Sequence, residues 1–71
     1  MDLGVVEKKV LGALMILAGG ATEVVATSRH IADTMGYKSP GGAITFALRV
    51  LERDNYLARI PNVRSGYRLL I

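Results

Sequence analysis

Arginine is the side chain through which this sequence can do most of its chemistry. From residue 27 onward the chain carries Arg29, Lys38, Arg49, Arg53, Arg59, Arg64 and Arg68 against only Asp33, Glu52 and Asp54, a net charge of +4. The first 26 residues hold Lys8 and Lys9 against Asp2, Glu7 and Glu23, a net −1. Guanidinium groups make forked hydrogen bonds that match a phosphate or the acceptor edge of guanine. A chain whose basic charge is concentrated in one half has the electrostatic footprint of a protein that binds a polyanion.

Other chemistries have little to work with. Cysteine is absent, which removes disulfides, thiolate metal sites and thiol nucleophiles, and fits a reducing cytosol. His30 is the single histidine and has no partner at metal-ligand spacing, so a surface or helix-capping role is expected for it. The six acids are scattered, and no Walker loop or dinucleotide-binding glycine motif is present. No catalytic residue, metal, cofactor or small-molecule ligand is therefore expected. The most apolar stretch, Val10 to Ala21, is interrupted by three glycines and is far shorter than the roughly 20 apolar residues that span a membrane. With 71 residues, 51% hydrophobic, the chain has material for one small core.

The elements that must position the arginines can be read from local signals. Asp2 is placed to cap a first helix over about residues 3–18, in which Val6, Val10, Ala13, Leu14 and Leu17 recur at three- and four-residue spacings, and Gly19-Gly20 ends it. Residues 23–26 are a strand fragment. Thr27 is a good cap for a short second helix from Ser28 to Met35, with Ile31, Ala32 and Met35 inward and Gly36 as its stop. Ser39-Pro40 predicts the start of a third helix, with Ile44, Leu48 and Leu51 on its buried face and Asn55 as a left-handed terminator. Two β-prone runs, Tyr56–Ile60 and Tyr67–Ile71, flank a turn-rich segment and predict a hairpin with a basic tip. The fold class is α+β, mostly α. It is a winged helix-turn-helix domain of three helices and a C-terminal β-hairpin wing, with the helix-turn-helix over about residues 27–54 and the wing over about 56–71.

The run TSRHIADTMGY from Thr27 to Tyr37, followed by Lys38-Ser39-Pro40, resembles the helix-turn-helix of LexA repressor DNA-binding domains. In that family an Ile-Ala pair precedes a glycine, an aromatic residue and Ser-Pro. The stretch Arg64-Ser65-Gly66-Tyr67-Arg68-Leu69-Leu70 resembles the family's wing tip and last strand, so the likeness covers about residues 27–70. It implies double-stranded DNA as partner and a role in transcription regulation. The departure lies just after Ser39-Pro40, where the family carries polar and acidic residues and this chain has Gly41-Gly42-Ala43-Ile44-Thr45-Phe46. The family's operator is accordingly not implied. The self-cleaving protease domain of the LexA repressor has no counterpart in these 71 residues.

DNA recognition needs phosphate anchors that fix register and base contacts that read sequence. Thr27, Ser28 and Arg29 open the second helix and are the expected backbone contacts, with Thr27 also its cap and Lys38 beside the turn. Ser39, Gly41 and Gly42 open the third helix. Two glycines there are explained either by close approach of backbone N–H groups to the nucleic acid or by crowding against the second helix. Thr45, Phe46 and Arg49 form the expected base-reading face, although a lone phenylalanine beside Ile44 is more often core than contact. On the wing, Asn62, Arg64, Ser65 and Arg68 are expected at a phosphate or the minor groove, Arg64 foremost.

The first helix is apolar around most of its circumference. One buried face leaves Val5, Leu11, Met15 and Ile16 over, and these are the expected interface of a homodimer. The expected setting is cytoplasmic, at the nucleoid in a prokaryotic or viral context. Two other uses of the fold compete, a protein-interaction module and an RNA-binding winged helix.

Overall fold

The elements follow in the order α1 (Val5–Ala18), β1 (Glu23–Val25), α2 (Ser28–Met35), α3 (Gly41–Arg53), β2 (Leu57–Arg59) and β3 (Gly66–Leu69) in a computed structural model that describes residues 3–38 and 41–70. The three strands form one antiparallel sheet in the order β1-β3-β2, so the short strand ahead of α2 pairs with the last strand of the hairpin. Three helices, a three-stranded sheet and a hairpin following the helix-turn-helix give an α+β, mostly α fold with the layout of a winged helix.

Local chemistry sets most boundaries. The expectation that Asp2 caps α1 falls outside the described residues, and the cap position is Gly4, whose N–H donates to Glu7 Oε1 at 3.0 Å. The helix closes on Gly19 in the left-handed conformation. At α2, the Thr27 hydroxyl oxygen accepts from the His30 N–H at 3.2 Å, and at the far end the Tyr37 N–H donates to the Ala32 carbonyl at 2.9 Å around Gly36. The end of α3 uses the same device. Asn55, at φ 65°, lets the Tyr56 N–H reach back to the Leu51 carbonyl at 2.9 Å. Ser39 and Pro40, expected to cap and open α3, lie outside the described residues.

The core is one cluster in which Val10 and Leu14 of α1, Ile31 of α2, Ile44 and Leu51 of α3, and Leu57 of β2 are essentially inaccessible. Tyr67 and Leu69 face it from β3, and Val24 from β1. Val10, Ala13 and Leu14 form the buried face of α1 as expected, with Val6 partly buried beside them, and two positions depart from it. Leu11, expected to be left over for a partner, is buried at 9% exposure, whereas Leu17, expected in the core, is 40% exposed in the last turn. Because α1 packs against α2, α3 and β1 together, its buried arc is wide enough to take in Leu11 with Val10, Ala13 and Leu14. No helix of the described residues is long and apolar enough to cross a membrane.

Candidate nucleic-acid interface

Strand pairing brings the start of α2 to the tip of the wing. Val25 is in register with Gly66, and the next residue, Ala26, donates its N–H to the Ser65 carbonyl at 2.9 Å. Thr27 follows directly as the α2 cap, and Arg64 directly precedes Ser65. Ser28 and Arg29 therefore begin α2 beside the wing tip, with their amides among the first-turn donors that have no partner inside a helix. Arg29 and Arg64 are both exposed.

The wing tip is built from turn residues suited to their conformation. Asn62 and Ser65 adopt left-handed φ values of 65° and 57°. The Ile60 N–H donates to the Gly66 carbonyl at 3.0 Å and closes the loop. Gly66 is sterically required, because a Cβ there would lie 2.6 Å from Val63 Cγ1 and 3.0 Å from Val63 Cβ. Asn62 thus has a backbone role in the turn, and Arg64 is the cation at the tip.

On α3, burial of Ile44, Ala47, Leu48 and Leu51 turns Gly42, Phe46, Arg49 and Arg53 outward along one line at four- and three-residue spacings, with Thr45 exposed at its side. Phe46 is not a core residue. It is 64% exposed although the fully buried Ile44 stands two residues before it. Gly41 opens the helix at φ +58°, a conformation that glycine adopts without strain. Crowding against α2 explains neither glycine, since a Cβ on Gly41 or Gly42 would meet nothing within 4 Å.

Ion pairing separates the cations into two groups. Arg68 lies on the outward face of the sheet, where its guanidinium reaches Glu23 Oε2 at 2.7 and 3.0 Å across the β1-β3 register. Arg68 stands on the wing as expected, in β3 rather than at the tip, with Glu23 beside its charge. Arg53 lies 3.3 Å from Asp54, and Arg59 lies 3.8 Å from Glu52 and over the Tyr67 ring. Among the described residues Lys8 and Lys9 of α1 make no ion pair, and neither do Arg29, Lys38, Arg49 and Arg64. The last four stand at the α2 start, the turn, the outward face of α3 and the wing tip.

Arg53 was not among the expected contacts, yet it shares the outward line of α3 and its side chain is 68% exposed. Its spacing of seven from Phe46 and four from Arg49 is the signal that marks it. On α1, Val5, Met15 and Ile16 are exposed as expected. Ile16 borders a groove of about 260 Å³ between α1 and α2, lined also by Lys9, Gly12, Ala13, Thr34 and Met35. Comparison with protein-family models, curated proteins and solved structures finds no match to this chain.

Proposed function

We propose that the domain is a DNA-binding protein rather than an enzyme, a transcription regulator of the winged helix-turn-helix type to which LexA repressor domains belong. In this reading α3 enters the major groove with Thr45, Phe46 and Arg49 toward the bases. The α2 start and the wing tip grip phosphates with Arg29, Arg64, hydroxyls and free amides. The observation that carries the reading is the sorting of charge: of the six cations without an acidic partner among the described residues, four stand on the elements that such a docking brings to DNA, while Arg53, Arg59 and Arg68 are matched by acids. Matched charges contribute little to a polyanion interface, and unmatched ones release condensed counterions when they meet it. The absence of cysteine fits a reducing cytosol or nucleoid.

Exposure of Val5, Met15 and Ile16 favours a second element of the reading, a homodimer through α1. A two-fold axis beside Ile16 would let each copy fill the other's groove between α1 and α2, and would present two recognition helices to successive half-sites.

Fluorescence anisotropy with a labelled 30-base-pair duplex, across a series of salt concentrations, tests the proposal, with duplex RNA of equal length as competitor. Binding that weakens steeply with salt and resists the RNA supports it. Salt-independent binding, or preference for RNA, overturns it.

A further inference from the structure

The outward surface of the first two turns of α3 carries almost no polar side chain. Gly41, Gly42, Ala43, Thr45 and Phe46 are all exposed there, and Thr45 alone offers a side-chain hydrogen-bonding group. Arg49 is the first charged side chain of the helix, and it follows one turn later. The glycines at positions 41 and 42 leave open space where side chains would stand, so the aromatic ring of Phe46 is the dominant projection of this surface. Such a ring has one natural counterpart on base edges in the major groove. Guanine, cytosine and adenine present donors and acceptors, whereas thymine also presents a methyl group on C5.

We infer that Phe46 is a specificity-determining residue that reads the C5-methyl group of thymine, with Arg49 one turn further along the helix fixing the adjoining position through a base acceptor edge or phosphate. The inference rests on the proposed docking of α3 in the major groove. Charge complementarity names this occupant: the same helix line that exposes Phe46 carries Arg49, which like Arg29, Lys38 and Arg64 makes no ion pair among the described residues. An aromatic side chain exposed among cations suits a surface that is apolar over methyl groups and anionic along its margins. Burying one methyl group against the ring corresponds to a difference of about three- to fivefold in affinity.

Two 20-base-pair duplexes, alternating d(AT) and alternating d(AU), carry equal charge and the same hydrogen-bonding edges and differ by the C5-methyl group on every pyrimidine. The full chain is expected to bind the d(AT) duplex at least about three- to fivefold more tightly. Phe46→Ala is expected to remove that difference, binding d(AT) and d(AU) with equal affinity, while leaving the salt slope and the melting temperature nearly unchanged. Phe46→Leu is expected to retain part of the difference. Equal affinity of the native chain for the two duplexes, or a methyl preference that survives in Phe46→Ala, overturns the inference and leaves the DNA-binding proposal standing. Failure to bind either duplex overturns both. A Phe46→Ala protein that loses self-association in place of methyl discrimination assigns the ring to a protein contact and likewise overturns it.

Discussion

The backbone N–H of Ala26 donates to the carbonyl of Ser65 at 2.9 Å, although the two residues stand at the exit of β1 and the tip of the wing. This bond, beside the Val25–Gly66 pairing, makes one structural edge of the α2 cap and the wing tip. Arg29→Ala and Arg64→Ala are therefore expected to act alike. Each should weaken binding to specific and random duplexes by similar factors and reduce the log–log salt slope by about one. Anisotropy titrations at several salt concentrations check this, and an unchanged slope in both variants would remove the shared phosphate edge.

Arg68 should behave differently from Arg64. Its pair with Glu23 is half exposed, at 58% and 49%, so Arg68→Ala is expected to lower stability by no more than about 1 kcal/mol. DNA affinity should change by less than about twofold, since no counterion is released by a charge already matched on the sheet. Urea unfolding and the same titrations separate the two arginines. A loss of affinity equal to that of Arg64→Ala would return Arg68 to the interface.

The glycines give opposite expectations at two sites. Gly66→Ala forces a methyl group into Val63 and is expected to destabilise the fold by about 1–3 kcal/mol. Gly42→Ala fills open space inside a helix and is expected to stabilise it by about 1 kcal/mol or less. If the α3 backbone approaches the nucleic acid at this point, the stabilised Gly42→Ala protein nevertheless binds duplex DNA more weakly. Thermal melts paired with titrations test this, and undiminished binding by Gly42→Ala would deny the close approach.

Self-association is tested at Ile16 rather than at Leu11. Ile16 is 71% exposed, so Ile16→Glu should leave the monomer folded and break a dimer. Leu11→Glu would place a charge in the core and unfold the chain. Sedimentation equilibrium at tens of micromolar should give a mass near twice 7.6 kDa for the native chain and a single 7.6 kDa species for Ile16→Glu. A native chain of 7.6 kDa under those conditions would contradict the dimer.

What the sequence by itself determined is local in origin. The bounds of α2 follow from a threonine hydroxyl that caps one end and a glycine that turns left-handed at the other, and the end of α3 follows from Asn55 in the same way. The buried face of α3 was legible because its apolar residues alternate with polar ones at helical period. Tertiary structure alone decided three other matters. In an almost uniformly apolar α1 the spacing marks the centre of the buried face at Val10, Ala13 and Leu14 but not its edges, and packing against α2, α3 and β1 selected Leu11 over Leu17 for the core. Spacing from Ile44 put Phe46 on the outward face while its residue type favoured the core, and the packing of Ile44, Leu48 and Leu51 decided between the two. The pairing of β1 with β3 joins residues 45 apart, as in Glu23 and Arg68, and no local propensity encodes such a partner. Register across a sheet is set by which faces must be buried together, and that condition exists only once the helices have formed the surface against which the sheet packs.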